Sequence, residues 1–265
     1  MNKRLVKQLL YGAGYLFFFS LIFYGIYFFI IKQAPSCFDN RQNQSETGID
    51  CGGSCQSCEI KTLSPIQVNW VKYFPTGDKI AVAAEIKNSN ANYGADGFSY
   101  TLDIYGKNGG KIKSLTRKSF IYAAEIKYIV EPLEINPRDV SDIRISIADV
   151  GWKSKSEFER PKIQIREAKT AMAEDKIKIE TSGFVLNNNA FLLSRLRIIG
   201  FLANKNGVKI SVSKTELENL KAFEDFFFRI AFPQNVSLMT ATASPLLNFN
   251  LADPNQTQIY VEAIR

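Results

Sequence analysis

The sequence predicts a mainly β protein: one N-terminal transmembrane helix followed by two tandem immunoglobulin-like antiparallel β-sandwiches. Three observations carry this. The chain repeats itself: Ile66-Gln67-Val68 returns as Ile163-Gln164-Ile165, and Asp78-Lys79-Ile80 as Asp175-Lys176-Ile177. Asn88-Ser89-Asn90-Ala91 returns as Asn187-Asn188-Asn189-Ala190, and Lys107-Asn108-Gly109-Gly110-Lys111-Ile112 as Lys205-Asn206-Gly207-Val208-Lys209-Ile210, so the four offsets are 97, 97, 99 and 98 residues. Two copies of domain size mean a tandem duplication, not a solenoid. Segments inside each copy alternate apolar and polar with period two, as half-buried strands do. Finally, Leu9 to Ile31 is a run of 23 residues without a charge.

That run is the first element. At ~1.5 Å per residue it spans about 34 Å, enough for a hydrocarbon core of ~30 Å. It is apolar all round and precedes both repeats, so it reads as a bilayer anchor, not a core helix. A cleaved signal peptide has a shorter apolar region of ~7–15 residues and a small-x-small cleavage site. Here Ala34 is followed by Pro35. Lys3, Arg4, Lys7 and the terminal amine flank one end, against Lys32 at the other. The positive-inside rule then puts the N-terminus in the cytoplasm and the remainder outside, in the cell membrane by a single pass. The expected division is a cytoplasmic tail over 1–8, the transmembrane helix over 9–31 and a disulfide-rich stalk over 32–60. The first sandwich follows over 61–150, a linker over 151–160 and the second sandwich over 161–265.

All four cysteines, Cys37, Cys51, Cys55 and Cys58, fall in the stalk. An even, clustered set on the outer side of a membrane reads as two disulfides, with three pairings open. Zinc held by four thiolates is the rival, but only Cys55–Cys58 forms a C-x-x-C knuckle. A redox pair there lacks the strand-to-helix context such motifs use. Asp39, Asn43, Glu46 and Asp50 place hard oxygens within one short loop and are calcium candidates, although their spacing is not that of an EF-hand; solvated turn carboxylates are the plainer reading. The stretch resembles a short cysteine module of exported bacterial and archaeal surface proteins, C-x-D-x-x-x-N-x-x-E-T-G-x-D-C-G-G-x-C-x-x-C. Cys37, Asp39, Asn43, Glu46, Thr47, Gly48, Asp50, Cys51, Gly52, Gly53, Cys55 and Cys58 carry the match. The resemblance implies export and no activity.

Within the repeats, residues 80–86, 98–105, 143–147, 177–180 and 196–201 read as strands. Asn108-Gly109 and Asn206-Gly207 suit two-residue hairpin turns in which both residues take positive φ. Gly106 to Lys111 lacks the spacing and hydroxyl of a phosphate loop. Phe226, Phe228, Ile230 and Phe232 share one strand face and are expected in the core. Phe227 falls on the other face beside Arg229, a candidate binding patch if exposed. Trp70 and Trp152 are expected to be buried at the ends of the first sandwich, and the charged stretch from Asp149 to Arg160 is expected to let the sandwiches hinge. Glu85-Ile86-Lys87-Asn88-Ser89-Asn90 and Leu102 to Gly109, echoed at Val185–Asn189 and Ile199–Gly207, resemble small exported sandwiches of the FxLYD or late-embryogenesis-abundant type. Those families bind or scaffold, which implies no catalytic residues here.

Composition narrows function. The chain has no histidine, which removes Ser-His-Asp, Cys-His and His-zinc chemistry. The net charge of +7 owes four of its positives to the flanks of the apolar run, so the rest is too weakly basic for a nucleic-acid footprint. The leading expectation is therefore a non-enzymatic, membrane-anchored, extracytoplasmic binding or structural module without cofactor. Its partners are the lipid bilayer through residues 9–31 and a protein of the cell envelope. An extracytoplasmic enzyme with a His-free site, or a cytoplasmic-facing zinc protein, are the alternatives.

Overall fold

The computed structural model describes residues 3–28, 36–43, 45–174, 178–233, 237–238 and 251–264. The repeat residues Asp175, Lys176 and Ile177, and the end of the apolar run from Phe29 to Ile31, lie outside the described residues. The chain forms two units, Met1–Leu63 and Ser64–Arg265.

The first unit opens with α1 (Lys3–Ile26), in which Val6–Ile26 is long and apolar enough to cross a membrane by length and composition. Leu16, Phe17 and Phe23 are exposed along it, as they must be if lipid is to be their solvent. The cysteine segment follows and ends in a 3-10 turn, Cys58–Thr62, capped by Ser57 Oγ accepting from Glu59 N at 3.3 Å.

The second unit is all β. The first sandwich comprises β1 (Gln67–Thr76), β2 (Lys79–Lys87), β3 (Tyr93–Gly106), β4 (Lys111–Ile121), β5 (Ile126–Leu133) and β6 (Val140–Ser154). The second comprises β7 (Ile163–Met172), β8 (Ile179–Asn187), β9 (Leu193–Ala203), β10 (Lys209–Leu220), β11 (Asp225–Ala231) and β14 (Gln258–Ile264). A short parallel pair, β12 (Ser237–Leu238) with β13 (Leu251–Ala252), is added in the second copy. Sheets β1-β2-β5 and β4-β3-β6 make the first copy, and β7-β8-β11 and β10-β9-β14 make the second, antiparallel throughout. Each copy thus has the same strand order, with its own core between its sheets. Ile80, Val82, Ile86, Phe98 and Leu102 fill the first core, and Ile179, Val185, Leu196, Ile198 and Phe228 the second.

The repeated Asn-x-Asn is a clamp. Asn88 Nδ2 donates to Tyr93 O at 2.7 Å and Tyr122 O at 3.0 Å, while its Oδ1 accepts from Asn90 N at 3.0 Å. Asn187 does the same work, with Nδ2 donating to Phe191 O, Leu220 O and Lys221 O at 2.9, 3.2 and 2.7 Å, and Oδ1 accepting from Asn189 N at 3.2 Å. Asn90 and Asn189 in turn hold the incoming chain: each bonds the backbone N–H and C=O of one residue, Ser64 and Lys162 respectively. Buried carbonyls at the loop ends need donors, and one amide side chain supplies several.

Three expectations change. The hairpins at Asn108-Gly109 and Asn206-Gly207 are not two-residue turns: Gly109 N donates to Gly106 O and Gly207 N to Asn204 O, and only the glycines take positive φ (+76° and +75°). This is a type I turn followed by a left-handed glycine; Asn108 Oδ1 accepts from Gly110 N at 3.0 Å. Next, β6 runs on to Ser154, so the expected linker begins as strand and Trp152 packs partly buried against the first core. Last, the sandwiches do not hinge freely. The outer face of β1-β2-β5 packs on that of β10-β9-β14 through Phe74, Ala81, Ala83, Tyr128, Val130, Ile199, Phe201 and Val212. Trp70 lies at this seam, half-buried.

Candidate functional site

The cysteine segment closes on two disulfides, Cys37–Cys55 and Cys51–Cys58, and no free cysteine is present. Cys37, Glu46 and Cys55 bring ligand-type atoms together, but the two sulfurs are joined, so no thiolate remains for zinc. The carboxylates are occupied by backbone amides. Asp50 Oδ1 accepts from Asp39 N at 2.9 Å and Asn40 N at 3.1 Å. Asp39 Oδ1 accepts from Arg41 N at 2.9 Å, and its Oδ2 from Asn43 Nδ2 at 2.7 Å. Burial opposes ionisation of Asp39, yet these donors hold its carboxyl below the usual aspartate range. Buried Glu46 accepts from Asn43 N at 3.1 Å. The four calcium candidates therefore aim most of their oxygens at N–H groups of the same loop, and a cation would have to displace those donors. Asn43 Oδ1 alone among them is buried without a hydrogen-bond partner among the described residues.

The motif glycines have equally local reasons. Gly52 takes φ +81°, and a Cβ there would lie 1.9 Å from Thr47 Oγ1; Gly53 takes φ +60°, and a Cβ would lie 2.1 Å from Ser45 O. The pattern is thus a recipe for a cross-linked loop with too little apolar surface to fold alone. Gly52→Ala is expected to cost more than about 1 kcal/mol through backbone strain alone, with the clash in addition. The check is the rate at which dithiothreitol reduces the two disulfides: a rate equal to wild type would show that the loop tolerates the side chain.

The candidate patch sits on β11, an edge strand. Phe227 is 47 % exposed, with the Phe184 ring 5.5 Å away edge-on and Arg229 Cζ 6.0 Å from its ring. Arg229 also pairs with Glu180 at 3.3 Å. Phe228, Ile230 and Phe232 are buried as the alternation requires, but Phe226 is exposed, because the end of an edge strand is covered on one flank only. The matching strand order of the two sandwiches relates the patch to a place in the first. The Asn88–Asn187 offset carries Tyr128 onto Phe227 and Val130 onto Arg229. Tyr128 and Val130 are buried under the other sandwich, whereas their counterparts face outward. On β8, Glu180 and Ser182 replace the small apolar Ala81 and Ala83 of β2. The outer face of the second sandwich is thus largely polar where that of the first is apolar, except that Phe227 keeps the aromatic position of Tyr128 and Phe184, standing at Glu85, packs beside it.

The seam holds the other concentration of chemistry. Phe201 meets the rings of Tyr128, Tyr260, Trp70 and Phe74 at 5.1, 6.0, 6.2 and 6.2 Å. Lys209 Nζ lies 5.4–5.6 Å from three of these rings. At one end of the seam, Lys127 of β5 is ion-paired with Glu262 of β14, whose second oxygen accepts from Arg197 Nη1 at 2.8 Å. Arg197 also holds Glu216 at 2.8 Å. Beside them the linker ring Phe158 stacks on Tyr122 at 4.5 Å, and a cleft of about 490 Å3 opens between Phe120, Phe158, Arg160 and Lys162. The sequence gives little warning of this site. Its one signal is that residues 80–84 of β2 contain no polar side chain, which a strand buried on one face only does not need.

No family model matches the chain, and no curated protein matches it. Among solved structures the chain is similar to the crystal structure of red sea bream transglutaminase, at 10 % identity and a TM-score of 0.23, over 77 % of this chain and 32 % of that one. The chain therefore spans about a third of that enzyme's length, and at this score the likeness carries no argument about fold or activity.

Proposed function

We propose that the chain is a single-pass, membrane-anchored, extracytoplasmic module that makes protein–protein contacts at the cell envelope. The observation that carries this reading is the pair of disulfides closing the segment that follows the apolar helix. Disulfides persist in oxidising compartments, and a loop this polar depends on them for its fold. Lys3, Arg4 and Lys7 in the first turns of the helix support an orientation with the N-terminus in the cytoplasm. The contact surface is the exposed face of the second sandwich around Phe227 and Arg229. An aromatic ring beside an arginine is the kind of anchor protein interfaces use. The role is binding or scaffolding, not catalysis, in line with the resemblance to small exported sandwiches.

Two measurements test this. Protease added to intact cells should remove the sandwiches and leave the N-terminal tail, and maleimide should label the protein only after reduction. Sandwiches protected in intact cells, or thiols labelled without reduction, would sink the placement. An N-terminus found at Ser36 or beyond in the mature protein would turn the anchor into a cleaved signal sequence. For the contact itself, a photo-crosslinking residue at position 227 should capture an envelope protein that one at Lys118 does not.

A further inference from the structure

We propose that Lys127 and Glu262 condense into an intramolecular isopeptide bond that joins the two sandwiches covalently. This rests on the seam and not on the membrane placement. The two side chains approach from different sandwiches and are 1 % and 7 % exposed. Apart from facing each other, neither Lys127 Nζ nor Glu262 Oε1 has a hydrogen-bond partner among the described residues. The Phe120 ring covers Nζ, with its centroid 3.5 Å away. An ammonium carries three donors and a carboxylate oxygen accepts readily, so a dry ion pair of this kind leaves N–H groups unmet. An amide nitrogen carries one N–H. These surroundings suit the amide better than the ions.

The reaction needs no further reagent. The neutral amine of Lys127 attacks Cδ of the protonated Glu262 carboxyl. The Nζ–Cδ bond forms, one Cδ–O bond breaks, and the oxygen leaves with two protons as water, so an ammonium and a carboxylate become an amide and one water. Arg197 Nη1, 2.8 Å from Oε2, is placed to offset the charge that grows on that oxygen during attack. Burial lowers the affinity of Lys127 for its proton, which favours the nucleophilic amine. Burial also raises the pKa of Glu125, which lines the same cavity of about 30 Å3 as Lys127 and Glu262 and can carry a proton between them. Holding amine and carboxyl together supplies a high effective concentration, and condensation removes two buried charges.

The full chain, purified in detergent, reduced and digested with trypsin, decides the matter by mass. The linked form appears as Ser119–Arg138 joined to Ile230–Arg265, lighter than the two peptides together by one water, with fragment ions placing the bond at Lys127 and Glu262. Cleavage after Lys127, giving free Ser119–Lys127 with no joined species, overturns the proposal and leaves an ion pair. Lys127→Arg should abolish the joined species; its persistence would place the bond elsewhere and overturn the assignment. Glu125→Gln should lower the joined fraction, and an unchanged fraction would remove Glu125 from the step.

Discussion

Replacing Asn187 by alanine is expected to cost about 3–5 kcal/mol of stability, several times what a typical surface substitution costs. Asn187 is fully buried and its amide serves three carbonyls, those of Phe191, Leu220 and Lys221, while its Oδ1 receives the Asn189 amide. Alanine removes all these partners at once. Each buried group left without one costs about 1–3 kcal/mol, and partial relaxation keeps the sum below the simple total. Asn88→Ala should cost a similar amount in the first copy, since Asn88 serves Tyr93 O and Tyr122 O and accepts from Asn90 N. Asn187→Asp is the informative companion. It keeps the shape, but its oxygens face carbonyls where the amide donated, so it should be no better than alanine. Urea denaturation of each variant gives the comparison. A cost below about 1 kcal/mol for Asn187→Ala would mean that water replaces the side chain, and the clamp would not be a stabilising element.

How much of this was legible follows from what each pattern reports. Periodicity reports which face of a strand is buried inside its own sandwich, so the strands around Val82, Leu102 and Ile198 are readable from the chain. The cysteine count reports cross-linking, and the pairing Cys37–Cys55 with Cys51–Cys58 needs the fold of the loop, where Asp50 draws in the Asp39 amide. The Asn-x-Asn repeat was visible as a match, but its work as a clamp was not, because its partners are 34 residues distant for Asn88 and Tyr122 and no local rule links them. The seam was least legible. Ala81 and Ala83 look like filler in a strand, and Lys127 looks like a surface lysine, until a second sheet covers them. The sequence matches hide this further: the same positions in the second sandwich hold Glu180, Ser182 and Phe226, so the matches suggest equal surroundings where the two sandwiches differ in what lies on top.

Phe201→Ala should have the second large effect, and a different signature. Phe201 belongs to β9 but contributes to the seam, fully buried among Tyr128, Tyr260, Trp70 and Phe74. Truncating a buried phenylalanine costs about 3–5 kcal/mol in lost transfer energy and residual cavity. The strands on either side of it, β10 and β14, remain paired with β9 in the same register, so the second sandwich keeps its own core of Leu196, Ile198 and Phe228. The loss therefore falls on the contact between the sandwiches. Wild type should unfold in one transition, because neither copy can open without exposing the seam. The variant should unfold in two, with the environment of Trp70 changing in the first of them. Fluorescence and far-UV circular dichroism, followed together in denaturant, separate the cases: coincident curves for Phe201→Ala would show that the sandwiches are coupled by something other than this aromatic cluster, and the Lys127–Glu262 junction would be the first place to look.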